Sequence, residues 1–144
     1  MRLKKSPKLY FYDSGLLCYL LGITSPGEVA IHSMRGAIFE SFVLSELSKH
    51  GFHHHKPVSL FFWQDKLGRE VDCLMERGKK LIPVEIKSSQ TLTPDSFKNL
   101  AYWLRLSGTN PRGASLVYAG RERQIRKQAR VLGWLEIDRL LSGW

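Results

Sequence analysis

Two stretches near the middle of the chain alternate between apolar and polar positions. Val71, Cys73 and Met75 alternate with Glu70, Asp72 and Glu76, and Ile82, Val84 and Ile86 alternate with Glu85 and Lys87. A period of two sends successive side chains to opposite faces of a β-strand, so each stretch predicts a strand with one buried face. Arg77-Gly78-Lys79-Lys80 lies between them. A four-residue antiparallel connection there sets position 72 opposite 85 and position 74 opposite 83. A further strand is predicted over 59–64, with Asp65-Lys66-Leu67-Gly68 as the turn that follows it.

Helical patterns flank this meander. Asp13 is a good N-cap for a short apolar helix over 14–21 that stops at Gly22. Pro26-Gly27 marks a loop over 23–31. A long helix is expected over 33–50, ending at Gly51. At ~100° per residue, Ile38, Phe39, Phe42, Val43, Leu44 and Leu47 form one apolar arc, with Ser41, Ser45 and Ser48 opposite. Glu40 and Glu46 both fall inside that arc. A buried carboxylate needs a partner, and a cation shared with Asp72 or a buried arginine would supply one. Thr93 caps a helix with Pro94 in its first turn, running to 106 and burying Phe97, Leu100, Ala101 and Leu104. A buried strand over 114–118, a short strand at Val131-Leu132 and a terminal helix over 135–141 complete the order. That order predicts one α/β domain over 1–144, with a mixed β-sheet flanked by helices.

Charge changes the picture. The chain carries 22 Lys and Arg against 13 Asp and Glu, a net charge of +9. Such an excess favours a polyanionic partner, nucleic acid first. Arg121, Arg123, Arg126 and Lys127 form the densest basic run, which reads either as a phosphate-tracking patch or as a solvated face. Cys18 and Cys73 stand alone in apolar runs and read as reduced core residues of a cytoplasmic protein. The apolar run over 16–23 is too short to span a bilayer, and no signal-peptide pattern opens the chain. No G-x-x-x-x-G-K-[ST] occurs, which excludes ATP hydrolysis by the P-loop route. His53-His54-His55 sits in a predicted loop without the further ligands of a zinc set. Trp63, Trp103, Trp134 and Trp144 read as core or interface anchors.

Two carboxylates and an ammonium converging at Asp72, Glu85 and Lys87 suit a hard divalent cation and a phosphodiester; Glu-x-Lys alone is equally a solvated ion pair. The ordered set Arg35-Gly36-Ala37-Ile38-Phe39-Glu40, Gly68-Arg69-Glu70-Val71-Asp72 and Pro83-Val84-Glu85-Ile86-Lys87-Ser88-Ser89 resembles the PD-(D/E)xK nuclease-like superfamily. More closely, the chain is similar from about residue 8 to about residue 140 to the uncharacterised C-terminal domain of prokaryotic AAA+ ATPases. Residues 8–17 and Leu116-Val117-Tyr118-Ala119-Gly120 share in that likeness. The resemblance implies a restriction-endonuclease-like fold, with Glu40, Asp72 and Glu85 as metal ligands and Asp72, Glu85 and Lys87 as the catalytic set. Val71 stands where the superfamily pattern has proline. Mg²⁺ or Mn²⁺ is the implied cofactor. The family's ATPase region would lie N-terminal to this domain, outside this chain. The expectation is a metal-dependent nuclease-like domain that acts on or binds nucleic acid. A non-catalytic module that docks DNA or a partner for an ATPase is the alternative.

Overall fold

In the computed structural model, which describes residues 7–141, the central strands form an antiparallel meander. β1 (Leu60–Gln64) pairs with β2 (Glu70–Arg77), which pairs with β3 (Lys80–Lys87). Leu74 lies opposite Pro83, the register expected from the sequence. The connection is tighter than expected: Arg77 pairs directly with Lys80, leaving only Gly78 and Lys79 in the loop. Gly78 makes this feasible by adopting φ +61°, a left-handed conformation that a side chain would disfavour. β4 (Ser115–Tyr118) then runs parallel to β3, β5 (Gln124–Ile125) lies at the edge, and β6 (Arg130–Gly133) runs parallel to β4. The six-stranded order is β1-β2-β3-β4-β6-β5. The fold is mixed α/β, a mixed sheet flanked by helices.

Both faces of the sheet are covered, which explains why the central strands are buried at consecutive positions, 71–75 in β2 and 82–86 in β3. α1 (Ser14–Leu20) and α2 (Pro26–Ile31) lead into α3 (Arg35–His53), and α4 (Lys98–Ser107) follows the meander. Val43, Leu44 and Leu47 of α3 pack on Cys73, Met75, Ile82, Val84 and Ile86. On the other face, Leu100, Trp103 and Leu104 of α4 meet Val71, Leu74, Leu116 and Val131. Val71 therefore belongs to the α4 face and not with Cys73 and Met75. The cause is a β-bulge: between the Phe61–Leu74 and Trp63–Val71 pairs, Asp72 and Cys73 together oppose Phe62. One extra residue breaks the alternation and re-aims the side chains around it.

Three other expectations change. Residues 26–31 are helical, because Ser25 accepts from the Glu28 N–H as N-cap, Pro26 opens the first turn and Glu28 suits its positive end. α3 continues through Gly51 to His53, taking the histidine run partly out of its predicted loop; at Gly51 a Cβ would lie only 2.9 Å from the Lys56 carbonyl. Ser41 and Ser45 are buried, not turned away from the core. Ser45 meets its hydrogen-bonding need within the helix by donating to the Phe42 carbonyl, 2.9 Å away. Trp103 is buried, Trp63 and Trp134 are half-buried, and Trp144 lies outside the described residues. Among the described residues no helix is long and apolar enough to cross a membrane.

Candidate functional site

The bulge at Asp72 stands where β2 and β3 part. Their backbone pairing extends to Cys73–Val84, one position short of Asp72–Glu85. Beyond it the Asp72 carboxylate takes the place of a backbone acceptor: its Oδ2 receives the Ile86 N–H at 2.7 Å. A strand N–H points sideways in the plane of the sheet, so this carboxylate sits between the strands. Glu85 and Lys87 alternate with Val84 and Ile86 and so project from the α4 side. Lys87 Nζ donates to Glu85 Oε1 at 2.6 Å. Glu85 is 1 % exposed and Asp72 7 %, while Lys87 reaches toward solvent from the end of β3. The second carboxylate oxygen of Glu85, Oε2, is buried with no hydrogen-bond partner among the described residues.

Burial sets the electrostatics. Desolvation raises the Asp72 pKa to about 6, opposed by the Ile86 N–H and the Lys87 charge and assisted by Glu40. Desolvation, then the Asp72 charge, raises Glu85 to about 7, with Lys87 pulling the other way. Burial works against the charged form of Lys87, but the neighbouring carboxylates, Glu85 foremost, outweigh it and raise its pKa. Two acids that would rather be neutral and an ammonium held charged beside them constitute a poised cluster. Cys73, pushed up to about 12 by burial and then by the Asp72 charge, stays a thiol.

Glu40 lies close enough to Asp72 for its charge to act there, and its protein partners are a tyrosine and a lysine, not the expected arginine. Tyr10 donates to Glu40 Oε1 at 2.6 Å, and Lys8 Nζ lies 3.3 Å from the same oxygen. Lys8 also reaches Glu70 at 3.5 Å and rests 4.3 Å from the centre of the Phe62 ring. Burial, then the Glu40 hydrogen bond and charge, raises the Tyr10 pKa, so its proton stays on oxygen. Sequence reasoning misses Lys8 and Tyr10 as partners here because the segment before α1 has no periodicity to place it. The Lys8–Tyr10 stretch is visible only through its likeness to a family. Glu46, equally placed on the helical wheel, instead pairs with Lys49 at 2.9 Å on the surface.

Three or more His, Cys, Asp or Glu side chains grouped to hold a metal are absent among the described residues. The donors still fit a hard cation in a leaner form. Asp72 and Glu85 offer only oxygen, and Glu85 Oε2 is a buried acceptor lacking a donor among the described residues. Mg²⁺ commonly takes one or two protein carboxylates and keeps several waters. The basic run lies elsewhere: Arg121, Arg123, Arg126 and Lys127 are all exposed on the strand-poor edge around β5.

Residues 35–137 match the family described as a domain of unknown function, DUF4143. The chain belongs to the DUF4143 family. Glu40, Asp72, Glu85 and Lys87 all fall within the DUF4143 match, whereas Lys8 and Tyr10 precede it. The chain is also similar to uncharacterized proteins of Mycobacterium bovis and Mycobacterium tuberculosis, 33% identical over 90 residues in each case. Those 90 residues are 62% of this chain and 20% of each relative, so the likeness spans about a fifth of their length. No solved structure matches the chain.

Proposed function

We propose that this domain is a metal-dependent phosphodiesterase of the PD-(D/E)xK kind, with a restriction-endonuclease-like fold, acting on nucleic acid in the cytoplasm. One observation carries the reading: two buried carboxyl groups with raised pKa values adjoin a charged lysine, and Glu85 Oε2 lacks a donor among the described residues. Asp72 and Glu85 would hold Mg²⁺ or Mn²⁺. A bound cation supplies charge neutralisation at the phosphate and a more acidic water. The Ile86 N–H fixes the rotamer of Asp72, so that this ligand is set before substrate arrives. Glu85 Oε1 holds the Lys87 ammonium, which faces the open end of the site. There Lys87 stabilises negative charge developing on the phosphoryl oxygens, a preorganised electrostatic role.

A second reading rests on Glu40. Lys8 and Tyr10 both engage its Oε1, an arrangement that holds this carboxylate by protein contacts and suits a non-catalytic module that docks nucleic acid or the ATPase region of the same or another chain. The test is cleavage of single-stranded, duplex and branched substrates by the full chain with Mg²⁺ or Mn²⁺. The enzyme reading expects cleavage that disappears in Asp72→Ala. A folded parent that cuts none of these substrates leaves the docking reading.

A further inference from the structure

The β2–β3 hairpin turns at the end of the sheet opposite the acidic cluster. Lys80 begins β3 and Lys87 ends it. At about 3.3 Å per residue the two lie about 23 Å apart along the strand. An open groove of 1020 Å³ occupies this far end. Arg77, Lys79 and Lys80 of the hairpin supply one wall, and Arg112, in the 3-10 turn Pro111–Gly113 before β4, stands on the other. All four side chains are exposed, and none makes an ion pair among the described residues. Further cations crowd the same end. Burial, then the like charges of Arg123 and Arg77, lowers the Arg130 pKa.

We propose that this groove is a phosphate-backbone binding surface for nucleic acid, separate from the acidic cluster and independent of whether that cluster cleaves anything. Unpaired cations on two walls of one trough present a continuous positive field, and a polyanion gains by displacing its condensed counterions there. Ser107, Thr109 and Asn110 line the groove beside the cations. Hydroxyl and amide groups alongside Lys and Arg are the donors that meet phosphate and sugar oxygens without reading bases. Among the described residues no carboxylate lines the groove, while the opposite end gathers Glu40, Glu70, Asp72 and Glu85.

The experiment is a titration of the full chain against a labelled duplex of arbitrary sequence at several salt concentrations. The parent is compared with Arg77→Glu/Lys80→Glu/Arg112→Glu. A control of equal charge, Lys56→Glu/Lys66→Glu/Lys98→Glu, uses exposed positions outside the groove. The groove variant should bind at least about tenfold more weakly, with a log–log salt slope shallower by about 2.7, or about 0.9 for each phosphate no longer neutralised. The control should move much less. Arg77→Gln/Lys80→Gln/Arg112→Gln, which keeps bulk and removes charge, should give the same direction of change if the reversed variant misfolds. Asp72→Ala should leave binding intact, so loss of cleavage and loss of binding are told apart. Equal weakening of groove variant and control, no duplex binding by the parent, or tighter binding of polyglutamate than of DNA would overturn the proposal.

Discussion

The two ends of β3 carry charge in opposite ways. At its C-terminal end Asp72 and Glu85 are drawn under cover with Lys87 half-buried at the rim, and each is fixed by a named partner: the Ile86 N–H for Asp72, and a 2.6 Å contact between Lys87 and Glu85. At its N-terminal end Arg77, Lys79 and Lys80 stand in water with no ion pair among the described residues. Burial raises the interaction energy between charges and fixes their geometry, so the covered end is fitted to act on one small group at one point. Exposed charges are screened individually and act together through sign and density, so the open end is fitted to a long polyanion. A substitution should therefore have a local chemical consequence at one end and a diffuse, salt-dependent one at the other.

The largest expected effect is at the covered end. Lys87→Ala should lower any Mg²⁺-dependent cleavage by roughly 10²–10³-fold, as removal of one preorganised stabiliser commonly does. Steady-state cleavage rates check this. An unchanged rate would place Lys87 outside the chemistry.

Next comes the pH dependence of the metal-free protein. Asp72 and Glu85 hold their protons in the native state to about pH 6 and about pH 7, whereas free carboxyl groups lose theirs near pH 4. Between those limits the folded chain binds more protons than the unfolded chain, so stability falls as pH rises through the window. The loss should amount to several kcal/mol, measured by urea unfolding at stepped pH. Asp72→Asn/Glu85→Gln should flatten the slope. A stability that rises with pH would show that the cluster is ionised and well paired in the native state.

Tyr10→Phe removes the 2.6 Å hydrogen bond to Glu40 and should cost about 1 kcal/mol by the same unfolding measurement. A larger loss would make the Lys8–Tyr10 segment a structural part of the covered end. The smallest effect belongs to the open end. Arg77→Glu/Lys80→Glu should leave stability within about 0.5 kcal/mol, since neither side chain is buried or ion-paired among the described residues. A marked destabilisation would contradict the contrast between the two ends.

How much of the molecule is legible in the sequence depends on which interactions decide each feature. The hairpin register is legible, because an alternation of period two and a glycine turn leave few ways to pair Leu74 with Pro83. Helix α1 and its Asp13 cap are legible because their determinants are equally local. The bulge at Asp72–Cys73 is hidden, since an extra residue in one strand shows only against its partner; alternation alone puts Val71 on the wrong face. Ser41 and Ser45 read as polar and exposed, yet small residues bury readily when their hydroxyls bond back to the helix, as that of Ser45 does. The placing of Glu85 and Lys87 on one face follows from spacing. The engagement of Glu40 by Lys8 and Tyr10 does not, because those contacts join positions 32 and 30 residues apart.

The central claim is that the covered end of the sheet is an oxygen-ligand site for a divalent cation. Titration of the full chain with Mn²⁺, followed by the loss of the free-ion paramagnetic resonance signal, tests it without any substrate. The account predicts one saturable site that disappears in Asp72→Asn and in Glu85→Gln, while Arg77→Glu/Lys80→Glu retains it. No saturable binding, or a site that survives both carboxylate substitutions, would contradict the claim.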